Sequence, residues 1–397
     1  MVTVSEAEAL IGKYRIRPEK ITVTLDEAPG RILAEGIKAD RDMPPFDRVA
    51  MDGIAIAFDS FEEGWRDFRV EGLQQAGQPR VTLKDAHNCM EVMTGAMLPI
   101  GCDTVIRYED VSIVNKIARM KIDAMARGQS IHHRAHDAKR NDVILAAGSL
   151  IAAPEITLLA SVGRRDAIVL DLPKIAVVST GNELVDISDT PLPHQIRRSN
   201  AYTIKAALAN LGGNASLFHI ADDRNLLERD LAKIINDYSV VILTGGVSKG
   251  KFDLVPASLE QVGVEKIFHE VSQKPGKPFW FGVSKKAIVF ALPGNPVSTM
   301  LCYYRYIQPW LMQGLGTNPA EESAVLDKDY HFSSDLTCFL EVSTRFDGGR
   351  VLATPRPGGG SGNFVNLHAV DGFLELPKGK NEFKAGESYR YFPFRNR

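Results

Sequence analysis

Two stretches decide the fold: KIAVVSTGNE at residues 174–183 and SVVILTGGVSKGKFD at residues 239–253. Each begins as a short apolar run rich in β-branched residues and ends on glycine followed by polar or acidic groups. That pattern reads as a buried strand running into a loop. Between them, Ser199 to Leu211 has helical spacing and stops at Gly212-Gly213, and Ala215 to Ile220 reads as a second strand ending at Asp222-Asp223. Asn225 to Asn236 reads as a helix. Beyond the second stretch, Ala287 to Ala291 forms a strand that ends at LPGNP and leads into a helix from Val297 to Met312. Strand, loop and helix repeated in this way predict a doubly wound, mostly parallel α/β domain with helices on both faces. Ligands of such sheets bind beyond the carboxyl ends of the strands. Here four of those ends carry Gly, Asp, Glu or Asn.

These loops hold the first candidate site residues. Gly245, Gly246 and Ser248 follow a strand, where glycine lets backbone N–H groups approach a phosphate that a Cβ would keep away. The loop is neither a Walker A motif nor a G-x-G-x-x-G fingerprint, so no common nucleotide-binding class follows from it. Glu183, Asp222 and Asp253 sit at matching positions after three strands. Carboxylates gathered beside a phosphate repel one another unless a hard cation lies between them, and Mg²⁺ suits one or two carboxylates plus phosphate oxygens. Asp223 reads instead as a helix N-cap. Lys274 and Lys277, in the proline-stiffened KPGKP, place two ammonium groups on a loop that would bind an oxyanion or else be a solvated basic turn. Pro293, Pro296 and Ser298 occupy another strand-to-helix junction, where backbone donors face outward.

Outward from this domain the texture changes. The first forty residues predict a helix, with Ser5 and Glu8 as its capping box, and then strand-like segments including Ile21 to Leu25. Pro44 and Pro45 open a loop ending at Ala50-Met51-Asp52-Gly53, and short β-like runs then alternate with turns to about Asp137 (55–58, 104–108, 113–122). Residues 141–163 return to strand-then-helix character. The expected organisation is a mixed N-terminal domain (1–40 plus 140–168), an inserted β-rich module (41–139), the α/β domain (169–316) and a C-terminal β-barrel-like domain (317–397). His132, His133 and His136 cluster in sequence, but no carboxylate at clear ligand spacing fixes a metal geometry, and no metal site is expected there.

Composition excludes several classes. The 397 residues are 44% hydrophobic and 24% charged, with a formal net charge of −2, which offers no global field for nucleic acid or an anionic membrane. The most apolar stretch, Val143 to Val162, is broken by Pro154 and Glu155, so no membrane span is expected. Cys89, Cys102, Cys302 and Cys338 are far apart and read as reduced thiols. With no signal-peptide core at the N-terminus, a cytoplasmic protein is expected.

The segments FDRVAMDG (46–53), MTGAMLPIGCDTVI (93–106), STGNEL (179–184), TGGVSKGKFD (244–253), KPGKPF (274–279) and LPGNPVS (292–298) together resemble the molybdopterin molybdenumtransferase family, known as MoeA and as the gephyrin E domain. The resemblance covers essentially the whole chain. It implies a homodimeric transferase of molybdenum cofactor biosynthesis, acting on adenylylated molybdopterin with Mg²⁺ and molybdate: AMP leaves and the dithiolene takes up molybdenum. It also implies a cleft formed with a second subunit, and a partner adenylyltransferase whose fold resembles residues 170–313. Carried onto this chain, the catalytic carboxylates would be Asp52, Asp137, Asp222 and Asp253. Thr94 and Glu183 would assist, Lys274, Lys277, Ser298 and Ser361 would contact molybdate or phosphate, and Pro293 and Pro296 would shape their loop.

This chain departs from the family pattern at four places. Ala135-His136-Asp137 replaces Gly-Glu-Asp, Arg48-Val49 replaces a small polar pair, and Lys249 and Lys251 add charge to the glycine loop. Near Phe339, Glu341 stands where the family carries an arginine, with Arg345 or Arg356 as candidate substitutes. Two other classes compete: an interaction scaffold of the gephyrin type, which has no use for clustered repelling carboxylates, and a nucleotide hydrolase, which would not need KPGKP or the segment around Asp52.

Overall fold

In the computed structural model, which describes residues 1–248, 253–317, 321–360 and 362–395, contacts divide the chain into two compact units. One comprises residues 1–34 with 168–397, and the other residues 35–167.

The first unit is built on a six-stranded sheet in the order Ala215–Ile220, Ile175–Thr180, Val240–Thr244, Ile288–Leu292, Trp280–Val283, Glu265–His269. The first four strands are parallel. Alternate side chains enter different cores. Ile175, Val177, Ile242 and Phe290 pack on one face, and Ala176, Val178, Val241 and Val289 on the other. A strand covered on both faces has no polar side, which is why these runs are continuously apolar rather than alternating. The last two strands are antiparallel, and sequence reasoning passed over both. EKIFH is too short and too mixed to separate from loop, and WFGV follows directly on a proline-rich turn.

Two local expectations need correction. The N-terminal helix, Val4–Ile11, is capped by Thr3 and Glu6 rather than Ser5 and Glu8: Glu6 N–H donates to Thr3 Oγ1 at 3.2 Å, and Thr3 N–H to Glu6 Oε2 at 2.7 Å. Glu8 instead lies one turn inside the helix, where it meets Arg305. The continuous helix expected over 297–312 is an α-helical segment Pro296–Cys302, a π turn Tyr303–Ile307 and a second α-helical segment Gln308–Gly314. Pro309 has no N–H to continue the ladder, so the turn before it widens. Asp223 caps its helix as expected, accepting from Leu226 N–H at 2.9 Å.

Thr337–Asp347, Arg350–Pro355, Glu322–Leu326, Ser388–Pro393 and Gly372–Leu376 pair in succession, and the last returns to the first, closing a five-stranded barrel. Closure removes the free edges of an all-β module. The short strand Gln273–Lys274 adds to its rim, pairing in parallel with Thr337 and Cys338. The lysine loop that follows is thus anchored to the barrel wall.

The second unit contains a six-stranded sheet ordered Thr104–Arg107, Gly53–Ile56, Asn88–Val92, Asp67–Gln74, Ile117–Met120, Val111–Val114. The run read as one strand over 113–122 is a hairpin. Asn115 and Lys116 both have positive φ (49° and 62°), the signature of a two-residue turn whose twist matches the flanking strands. Gly53 opens the strand after Asp52, and a Cβ there would lie 1.9 Å from the Ile106 carbonyl oxygen, so only glycine lets these strands pair. The four cysteines are buried and unpaired. Among the described residues, no helix is long and apolar enough to cross a membrane.

Candidate functional site

The ends of the parallel strands open into a cleft of about 1160 Å³. Its lining includes Glu183, Asp222, Asp253, Gly245, Gly246, Ser248, Pro293 and Pro296, so eight of the proposed residues, from four separate loops, meet in one place. The site lies at the switch point of the sheet, where the chain leaves Ile175–Thr180 for one edge and returns through Val240–Thr244 on the other side. Neighbouring strand ends approach so closely there that a Cβ on Gly245 would sit 2.7 Å from the Thr180 carbonyl oxygen. Gly246, at φ +66°, would meet Val255 at the same distance.

Two histidines that sequence reasoning missed pin these loops. His219 Nε2 lies 2.9 Å from the Gly181 carbonyl and His269 Nε2 lies 2.8 Å from the Val247 carbonyl. A carbonyl can only accept, so in both rings Nε2 is the protonated nitrogen. Asn182 accepts the Asp222 N–H on its side-chain oxygen at 3.0 Å, fixing one acidic loop against the other. Neither histidine stands in a glycine or proline motif, and each acts through a partner more than twenty residues away. Only the Asn182 signal was present in sequence, inside STGNEL.

Electrostatics follow from the convergence. Burial, with Glu183 and Asp253 adding to it, holds the Asp222 carboxyl above its ordinary value, against the opposing effects of the Asn182 backbone and His219. Carboxylates gathered in one place favour a cation between them. Carboxylate oxygens are hard donors and suit a hard divalent cation better than a soft metal. At the cleft floor, Ser179 Oγ and Thr180 Oγ1 are buried without a hydrogen-bond partner among the described residues. Such hydroxyls are normally satisfied, and here they line the space a ligand would fill.

A second cavity of about 520 Å³ shares Pro278, Pro293 and Asn295 with the cleft. Lys274, Lys277 and Ser298 line it as proposed, and Glu341 lines it too. Glu341 is 9% exposed, accepts from Asn366 Nδ2 at 2.6 Å, and has its carboxyl raised above the usual range by burial. Neither candidate arginine takes its place. Arg345 is paired with Asp327 at 2.7 Å, Arg356 Nε donates to Ser343 Oγ at 3.2 Å, and neither lines the cavity. Cys338 also lines this space, but burial pushes its thiol up to about 12, which removes it as a thiolate. Ser361 lies outside the described residues.

In the second unit, Asp52 Oδ1 accepts from both the N–H and the Oγ1–H of Thr94, each at 2.6 Å. The side-chain bond and then the backbone bond hold its carboxyl below the ordinary value, so it stays ionised. Asp137 is flanked by imidazoles. Its Oδ1 lies 2.9 Å from His132 Nε2 and 3.1 Å from His136 Nδ1. The histidine cluster therefore does have a carboxylate in its midst, that of Asp137, the residue after His136 in sequence.

Comparison with known proteins agrees over the whole chain. Residues 2–163 match the model of the MoeA N-terminal region (domain I and II), residues 176–313 that of a probable molybdopterin binding domain, and residues 323–394 that of the MoeA C-terminal region (domain IV). The molybdopterin molybdenumtransferase of Synechocystis sp. is 40% identical over 397 residues, covering 99% of this chain and 100% of that one. The molybdopterin molybdenumtransferase of Bacillus subtilis is 28% identical, covering 98% of this chain and 93% of that one. Crystal structures of the molybdopterin biosynthesis MoeA protein of Pyrococcus horikoshii superpose with TM-scores of 0.84 and 0.82 at 29% and 26% identity, over 100% and 99% of this chain and all of theirs. Full-length similarity of this extent, together with motif loops that meet in one cleft, means that the chain belongs to the MoeA family, the molybdopterin molybdenumtransferases of molybdenum cofactor biosynthesis.

Proposed function

We propose that the chain inserts molybdenum into molybdopterin by Mg²⁺-dependent hydrolysis of adenylylated molybdopterin, releasing AMP and loading molybdate onto the dithiolene. The observation that carries this reading is the adjacency of two unlike spaces, an acidic cleft and a lysine-lined cavity joined through Pro278, Pro293 and Asn295. A phosphoanhydride with its cation suits the first, and a tetrahedral oxyanion suits the second.

Glu183, Asp222 and Asp253 would hold the Mg²⁺, whose chemistry is to polarise phosphoryl oxygens. Gly245 and Gly246 let main-chain N–H groups approach the phosphate, and the Asn182 bond to Asp222 keeps the acidic loop in place before substrate arrives. Lys274, Lys277 and Ser298 orient molybdate. The lysine loop is held from behind by Gln273, whose Nε2 donates to the Gly276 carbonyl at 3.1 Å, so little ordering of that loop is left to do on binding. The chain would act as a cytoplasmic homodimer, with the Asp52–Thr94 pair and Asp137 serving the site of a second copy, and would receive substrate from an adenylyltransferase.

Glu341 sets a condition on this chemistry. A carboxylate beside Lys274 and Lys277 opposes an oxyanion, whereas its protonated form does not. Its raised value keeps the proton to higher pH than an ordinary glutamate. Molybdate affinity is therefore expected to fall as pH rises through the Glu341 titration, and Glu341→Arg should tighten binding roughly tenfold at neutral pH. Molybdate titration by calorimetry across pH tests this; equal affinity in both proteins would show that the side chain does not act on the anion.

The function itself is tested by reconstitution. Purified protein, adenylylated molybdopterin, Mg²⁺ and molybdate are mixed with a molybdenum-free apoenzyme. Recovery of that enzyme's activity is expected; no recovery beyond a control lacking the protein would refute the assignment.

A further inference from the structure

We propose that His132, His136 and Asp137 form a binding site for a divalent transition-metal ion of the zinc type, a site that shares Asp137 with the function proposed above but uses none of Glu183, Asp222 and Asp253, and that is tested by metal binding alone. The donor atoms are already gathered. His132 Nε2 and His136 Nδ1 are 3.3 Å apart, and Asp137 Oδ1 lies 2.9 Å from the first and 3.1 Å from the second. A tetrahedral ion with bonds of about 2.0–2.1 Å has ligand atoms roughly 3.3–3.4 Å apart. The three atoms thus outline one face of such a tetrahedron, and outward shifts of a few tenths of an ångström would complete it. Among the described residues this is the group of His, Cys, Asp and Glu ligand atoms that meets so closely.

The donor set selects the metal. Two imidazoles and one carboxylate suit Zn²⁺, Co²⁺ or Ni²⁺, whereas Mg²⁺ and Ca²⁺ prefer oxygen alone. Three protein ligands leave a fourth position for water or an incoming ligand, the pattern of reactive rather than purely structural sites. The backbone is also held in advance. His132 is paired with Arg48 in a two-stranded ladder, the N–H groups of Asp137 and Ala138 both donate to the Met43 carbonyl at 2.9 and 3.1 Å, and Ala135 turns the chain at φ +62°.

Arg48 competes with the metal. Its Nη2 lies 2.8 Å from His132 Nδ1. Guanidinium only donates, so without metal His132 carries its proton on Nε2 and gives it to Asp137. Loading needs the other tautomer: the proton moves from Nε2 to Nδ1, Arg48 swings into solvent, and Nε2 offers its lone pair. His136 makes the matching shift from Nδ1 to Nε2. Each shift moves a proton between the two nitrogens of one ring, and Arg48 is exposed, so its side chain has solvent to move into.

The experiment uses the full-length protein stripped with a chelator and titrated with Zn²⁺ against a chromophoric competitor, and separately with Co²⁺ followed by its visible d–d absorption. One equivalent of Zn²⁺ per chain is expected, with Co²⁺ giving the strong bands of four-coordination. His132→Asn and His136→Asn should each weaken Zn²⁺ binding about a hundredfold or more. Arg48→Ala should tighten it severalfold, a gain that misfolding cannot mimic. Absence of a stoichiometric Zn²⁺ site in the unaltered protein, or binding unchanged by both histidine substitutions, would overturn the proposal and leave a hydrogen-bonded cluster. Binding weakened by Arg48→Ala would overturn the competing role given to that residue.

Discussion

Replacing Asp253 by alanine is expected to slow AMP release from adenylylated molybdopterin by roughly 10²–10³-fold, the range in which a group aimed at developing phosphoryl charge acts. Asp253 enters the same cleft as Glu183 and Asp222 and is one of the charges that raise the Asp222 carboxyl. Its loss would remove a proposed cation ligand and also a source of that repulsion, so the acid limb of the rate profile should move to lower pH as Asp222 ionises more readily. Asp223→Ala is the natural control. That residue is also an aspartate and stands next to Asp222 in sequence, but its carboxylate caps the helix by accepting from the Leu226 N–H. It should cost about 1 kcal/mol of stability and leave turnover near normal. AMP measured by chromatography over single turnovers distinguishes the two, and equal rates for Asp253→Ala and the unaltered protein would remove Asp253 from the reaction.

A second large effect is expected far from the cleft. Arg305 is 2% exposed and bonds to Glu8 at 2.8 Å and to Glu375 at 3.0 Å, joining the first helix, the π turn and the barrel. It also stacks on Phe392 and Tyr306, and the Tyr306 hydroxyl donates to Gln273, which holds the lysine loop. Arg305→Leu removes the ion-pair partner of Glu375 and, among the described residues, leaves Glu8 the longer contact to Arg390 at 3.4 Å. Breaking one side of a buried pair costs about 3–5 kcal/mol, so the thermal midpoint should fall by roughly 10 °C. Burial raises the Glu8 carboxyl, but Arg305 and Arg390 outweigh this and hold it below its ordinary value. A depressed carboxyl contributes stability above its unfolded pKa and loses it as pH falls through the lowered folded value. The acid limb of the stability curve should therefore flatten in the variant. Calorimetry across pH checks both points, and a midpoint within about 2 °C of the unaltered protein would show that the network does not bind the elements together.

How much of this was legible in the sequence depended on where the information lay. KIAVVST and SVVILTGG read correctly because a strand buried on both faces must be apolar throughout, and its end is marked by glycine. The paired strands at Glu265–His269 and Trp280–Val283 lacked that contrast and went unread. Loop motifs pointed to residues that line the two cavities, since Gly245, Lys274 and Pro293 are costly or conspicuous choices in a turn. Partners that support those loops from a distance were invisible. His219, His269 and Gln273 act through single hydrogen bonds to main chain that no spacing encodes. The approach of Asp137 to the two histidines is hidden for a related reason: spacing gives no distance, and Ala135 at positive φ folds His136 and Asp137 back toward His132. Glu341 needed the barrel itself, because only the register against Phe373 fixes which way position 341 faces.

The central claim is that one protein couples anhydride cleavage in the acidic cleft to oxyanion uptake in the lysine cavity beside it. Its most direct test counts AMP released and molybdenum bound to pterin in the same tube, from purified protein and adenylylated molybdopterin with Mg²⁺ and molybdate. The two are expected to appear in a one-to-one ratio and to vanish together when Mg²⁺ is withdrawn. Molybdenum loading without AMP, or at a rate indifferent to Mg²⁺, would contradict the account.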